Sequence, residues 1–170
     1  KLAAIMGDQE FTRASCIAPV RLKNLDPCHE DIGRFRKALD RKGQGVRASV
    51  LTCDMSDLAS VQAFAQAALA QLGHCDILVN NAGATWGAPA ENFPLDAWTR
   101  VMNVNLNGVF LLSQFIARES MIPRRYGRIL NIASTAGLRG PLPDTLDVVA
   151  YSASKGGLVN LTRHLSSEWG

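Results

Sequence analysis

Two residues in "VVAYSASKGG" (148–157) have types and spacing that could do chemistry. Tyr151 and Lys155 are four apart, the separation that stacks two side chains on one helix face. A phenol titrates near pH ~10 and is a poor base at neutrality. An ammonium group within reach favours the phenolate and lowers that value. The pair could therefore exchange protons with a substrate oxygen, or it could be an ordinary surface pair. Average residue usage gives on the order of 0.3 such matches in a chain this long. The decision rests on what surrounds it.

The elements that must position the pair alternate in type from Ala48 onward. Strands are expected over 48–53 (ASVLTC), 76–80 (DILVN) and 128–132 (RILNI), each an apolar run too short for a helix. Ser56 and Asp57 open a helix that carries Leu58, Val61, Phe64, Ala65, Ala68 and Leu72 at helical spacing, and Gly73 closes it. A second helix is expected from near Asp96 through Phe110, Leu111, Leu112 and Phe115. A third runs from near Val148 through Leu158, Leu161 and Leu165. Strands alternating with long helices predict β-α-β units, a parallel sheet and helices on both faces, an α/β fold.

Parallel strands end along one edge, and ligands of open α/β sheets bind outside it. The three strand ends carry Cys53-Asp54-Met55, Asn80-Asn81-Ala82-Gly83 and Ala133-Ser134-Thr135. Each could be plain turn chemistry. Their agreement, with Tyr151 and Lys155 one helix further on, points to a site.

Composition narrows the remaining classes. The 170 residues suit one domain, 1–170, and the formal charge of +3 is too small to suggest a nucleic-acid surface. The cluster "RRYGR" (Arg124, Arg125, Arg128) reads as a solvated connection between helix and strand. No apolar run reaches bilayer length and no secretory signal opens the chain. Cys16, Cys28, Cys53 and Cys75 form no C-x-x-C pair, and Cys28-His29 with His74-Cys75 are weak grounds for zinc. No metal is expected, and reduced thiols fit a cytoplasmic protein. The chain begins without methionine and stops as a helix finishes, so it reads as a piece of something longer.

The stretches "CDMSD" (53–57), "ILVNNAG" (77–83), "VNLNGVF" (104–110), "GRILNIAS" (127–134) and "YSASK" (151–155) together resemble the short-chain dehydrogenase/reductase family, in its order and near its spacing. The match covers about residues 46–170 and is similar to the gluconate 5-dehydrogenase and 3-oxoacyl-carrier-protein-reductase-like branch. The resemblance implies a Rossmann-like doubly wound sheet, incomplete at both ends. It also implies NAD or NADP as cofactor, an alcohol or ketone substrate, and a homodimer or homotetramer built through the two long helices. By it, Tyr151 is the general acid/base. Lys155 assists Tyr151 and bonds the nicotinamide ribose, and Ser134 holds the substrate oxygen. Asn105 marks a helix distortion whose carbonyl holds a water behind the lysine. Its neighbours in "NVNLNG" are poor helix formers, which agrees. Asp54 and Met55 meet the adenine, and Asn81, Ala82 and Gly83 lie along the adenosine. Asn80 reads as structural, bonding neighbouring strands.

Residues 1–45 depart from the family. "KLAAIMG" could be its first strand, but no glycine follows Gly7 until Gly33, so the glycine-rich phosphate turn is missing. If "APVRL" (18–22) is the second strand, eleven residues separate Met6 from Ala18, hardly enough for a crossover helix. The segment between Ser134 and Tyr151 is also longer than in many relatives, with Pro141 and Pro143 placing the excess in a loop. A non-catalytic scaffold or oligomer subunit is the rival to an oxidoreductase.

Overall fold

A computed structural model of the chain describes residues 2–8, 14–20, 47–140 and 147–170, with side chains over 51–140 and 147–170. Five strands form one sheet in the order β3-β1-β2-β4-β5. They are β1 (Leu2–Asp8), β2 (Ala14–Val20), β3 (Arg47–Cys53), β4 (Ile77–Asn80) and β5 (Arg128–Asn131). β2 pairs parallel with β4, and β4 with β5. β1 pairs antiparallel with both β2 and β3. Strands β2 to β5 therefore share one direction, and the expected all-parallel sheet is corrected at β1. The physical reason is chain length. Five residues link Asp8 to Ala14, too few to cross the sheet and return in parallel, so the strands pair as a hairpin. The second strand also starts and ends before the expected 18–22.

Helix α1 (Leu58–Leu72) follows β3. The Asp57 carboxylate accepts from the Ala59 N–H at 3.0 Å, satisfying a donor the first turn leaves open. Gly73 ends the helix at φ 75°, and its N–H donates to Leu69. Val61, Phe64, Ala65 and Ala68 are buried as their spacing predicts, whereas Leu58 in the first turn is exposed. After β4 comes a helical rod in pieces: α2 (Leu95–Met102), a wide π-helical turn (Asn103–Asn107), α3 (Gly108–Ile116), a second π-helical turn (Ala117–Met121) and the single turn α4 (Ile122–Arg124). α5 (Val149–Trp169) closes the described chain.

The helices pack on one another as one layer, α1 against α3 and α5 against α2 and the first π turn. Between that layer and the sheet lies a core of Met55, Phe64, Leu78, Val109, Leu112, Ile116 and Leu158. Burying each such side chain is worth about 1.5–3 kcal/mol. Leu130, on the far side of β5, and Ile132, just past the strand, are exposed. The expected second helix layer lies outside the described residues.

One of the three clustered arginines departs from the solvated reading. Arg124 Nη2 meets Asp76 Oδ1 at 2.6 Å, and Asp76 is buried just before β4. The ion pair ties α4 to the start of the strand, so this connection is anchored, while Arg125 and Arg128 remain exposed.

Candidate active site

The strand ends and α5 converge on Lys155. Its side chain is buried among described neighbours and its Nζ donates to the Ile132 carbonyl at 2.6 Å. Nζ also lies 5.7 Å from the centroid of the Tyr151 ring, one helical turn earlier. A Cβ placed on Gly83 would be 4.0 Å from that Nζ and 3.8 Å from Asn105 Oδ1. Segments from β4, the helical rod, β5 and α5 thus meet at one amine. Burial pushes the Lys155 ammonium below its usual range, because desolvation disfavours the charged form.

Ser134 ends the extended segment after β5. Its Oγ accepts from the Ala136 N–H at 3.2 Å and caps the 3-10 turn Thr135–Gly137. That turn presses on α5: a Cβ on Gly137 would stand 2.5 Å from the Lys155 carbonyl carbon. The turn that Ser134 caps is thus held against the Lys155 backbone by a glycine that permits the approach.

Asn105 lies in the π-helical turn, fully buried. The distortion expected of "NVNLNG" is present and takes this particular form; such bulges concentrate at functional sites. The side chain does something the sequence did not reveal. Its Oδ1 accepts from the Ala84 N–H at 2.7 Å, while Nδ2 donates to the Ala84 carbonyl and to Ser154 Oγ, each at 2.9 Å. It binds the loop after β4 to α5. Gly108 lets the rod approach, since a Cβ there would be 2.7 Å from the Met55 carbonyl oxygen. Replacing Asn105 with Ala should leave two half-buried backbone groups of Ala84 without this partner, at up to about 1–3 kcal/mol. Faster hydrogen exchange at the Ala84 amide is the expected sign; unchanged protection would refute this role.

The residues expected along an adenosine divide by exposure. Asp54 is exposed at the end of β3, and its Oδ1 accepts from Ser56 Oγ at 2.6 Å and Ser56 N–H at 2.9 Å. The Ser56 side chain, then its backbone, hold this carboxyl below the usual range. Asn81 is exposed, Gly83 is half-buried, and Ala82 and Met55 are buried in the core. Met55 and Ala82 therefore offer no exposed side chain to an outside ligand. Asn80 is structural as expected: its Nδ2 donates to Asn131 Oδ1 at 2.8 Å, joining β4 to β5, and to Ser113 Oγ at 2.9 Å.

A sheet that brings the segments after β4 and β5 to a Tyr-Lys pair defines an α/β protein with a candidate site at its carboxyl edge. The chain belongs to the short chain dehydrogenase family, whose model matches residues 21–170. It is 40% identical over 125 residues to 2-dehydro-3-deoxy-D-gluconate 5-dehydrogenase of Dickeya dadantii, covering 74% of this chain and 48% of that protein. It is 36% identical over 144 residues to gluconate 5-dehydrogenase of Gluconobacter oxydans, covering 81% and 54%. A crystal structure of NAD+-bound xylitol dehydrogenase superposes with a TM-score of 0.63 at 33% identity, over 70% of this chain and 44% of that one. The chain spans about half the length of the curated relatives it matches. Among the described residues no helix is long and apolar enough to cross a membrane.

Proposed function

We propose that this chain carries the proton-transfer half of an NAD(P)-dependent oxidoreductase acting on a secondary alcohol or ketone. The observation that carries this is the buried Lys155 amine, 5.7 Å from the Tyr151 ring and held by Ile132, with Gly83 and Asn105 beside it. A bound nicotinamide would supply the hydride donor or acceptor. Tyr151 exchanges a proton with the substrate oxygen, and the Lys155 charge favours its phenolate. Ser134, three residues past β5, orients that oxygen. Asn105 keeps the Gly83 loop and the α5 helix in register.

The residues fit the two ends of a dinucleotide better than its middle. Gly83 leaves backbone open beside Lys155, where only ordinary contacts would meet an added atom. Asp54 offers an ionised, exposed carboxylate to the adenosine end. Only five residues link β1 to its antiparallel partner β2, too few for a crossover helix whose N-terminus could hold a pyrophosphate. That observation favours the second reading, a non-catalytic scaffold.

Turnover of a ketone panel with NADH and NADPH separates the two. The oxidoreductase reading expects activity that falls about 10²–10⁴-fold in Tyr151→Phe. Equal rates in both proteins would favour the scaffold. Similarity to the gluconate 5-dehydrogenases supports a polyol-type ketone as one panel member. Assembly into a dimer or tetramer through the rod and α5, in the cytoplasm, belongs to the same proposal. A single-chain mass by light scattering would remove the assembly.

A further inference from the structure

The loop from Gly83 to Ala88 is fastened at three points. Gly83 faces the Lys155 amine, Asn105 takes both backbone groups of Ala84, and the Ala88 N–H donates to the Asp147 carbonyl at 2.9 Å. The loop therefore runs alongside the first two turns of α5, from Lys155 back to Asp147. Tyr151 lies midway between those two contacts in sequence, and Trp86 lies midway along the loop.

Trp86 is 50% exposed although the backbone on both sides of it is held. Two other segments of the site carry exposed apolar side chains. Val149, two residues before Tyr151, is 37% exposed, and Leu138, four after Ser134, is 68% exposed. Gly137 packs on the Lys155 backbone, so Leu138 directly follows a turn that touches α5. Single exposed apolar residues are common on any surface. Three of them, each on a different segment that borders the Tyr151–Lys155 pair, make a set that polar surroundings do not explain. Among the described residues, the exposed charges adjoining them in sequence, Arg139 and Asp147, are of opposite sign.

We propose that Trp86, with Leu138 and Val149, forms an apolar wall for the non-reacting part of the substrate, so that the site prefers a ketone with a hydrocarbon ring or face to a small sugar acid. The proposal rests on the oxidoreductase reading, but the wall itself is a binding property. An indole offers a flat, rigid surface with a polar edge, suited to stacking against an alicyclic ring. The wall would then hold the carbon skeleton while the Tyr151 hydroxyl meets the oxygen.

A titration of the full chain, followed by the NMR signals of its three indole N–H groups from Trp86, Trp98 and Trp169, tests this. Trp86→Phe assigns the Trp86 signal. Cyclohexanone should shift that signal saturably, and 5-ketogluconate should shift it only at about tenfold higher concentration. Trp86→Ala should weaken cyclohexanone binding about tenfold; if that variant fails to fold, Leu138→Ser carries the same expectation for an exposed side chain. Tyr151→Phe should still bind, which separates this result from loss of turnover. A Trp86 signal that does not move, or tighter binding of the sugar acid, overturns the proposal.

Discussion

Lys155→Met is expected to lose about 10²–10⁴-fold in turnover while melting at a higher temperature than the parent chain. The activity loss follows from removing the cation placed beside the Tyr151 ring. The stability gain follows from burial. Lys155 is almost fully enclosed and its ammonium is held below the ordinary lysine value by desolvation, so carrying the charge costs the folded state. A folded-state value below the unfolded one means that the unfolded chain binds more protons between the two. Stability therefore rises with pH across that window and levels off above the ordinary 10.5. Below that window the penalty is fully present, and methionine of similar length removes it. A gain of about 0.5–2 kcal/mol is expected, or roughly 1–8 °C at this size. Its size is limited by loss of the bond to the Ile132 carbonyl. Calorimetry showing a lower melting temperature would mean that the amine stabilises the fold instead.

Gly137→Ala should damage stability and activity together. The added Cβ would lie 2.5 Å from the Lys155 carbonyl carbon, 2.6 Å from its oxygen and 2.7 Å from the Gly156 nitrogen. All three are backbone atoms inside a helix and cannot swing aside. The 3-10 turn and α5 must separate, at about 1–3 kcal/mol. Ser134 caps that turn, so the separation also displaces the hydroxyl that the proposed function assigns to the substrate oxygen. A displacement of ~1 Å can cost ~10²-fold in rate. The neighbouring change Gly156→Ala meets its nearest atom, the Gly137 carbonyl oxygen, at 3.4 Å. It gains helix propensity of up to about 1 kcal/mol and should leave stability equal or higher. Urea unfolding of both variants checks the contrast. Equal stabilities would show that the close approach at Gly137 does not constrain the fold.

The site was legible in the sequence to the extent that its parts are local. The four-residue spacing of Tyr151 and Lys155 needs only a helix. The Asp57 cap, the Gly73 stop and the broken helix around Asn105 are each written in a few adjacent residues, and each is present. The alternation of β3, α1, β4, rod, β5 and α5 followed from apolar periodicity for the same reason. Residues 1–20 misled in direction, because apolar runs mark strands without saying which way they point. Only the shortness of the link between them hinted at a hairpin.

Sequence by itself determined the element types, the strand ends that carry polar groups, and the pairing of a phenol with an amine one turn on. Those features depend on neighbours within a few residues, where the chain's geometry is nearly fixed. Only the tertiary structure decided that Lys155 is buried, that Asn105 holds the Ala84 loop, that Arg124 reaches Asp76, and that Trp86 stands exposed on a loop tied to the start of α5. The nearest in sequence of these bonded pairs, Asn105 and Ala84, is 21 positions apart. Whether such groups meet depends on how the layers pack, and no local spacing records that.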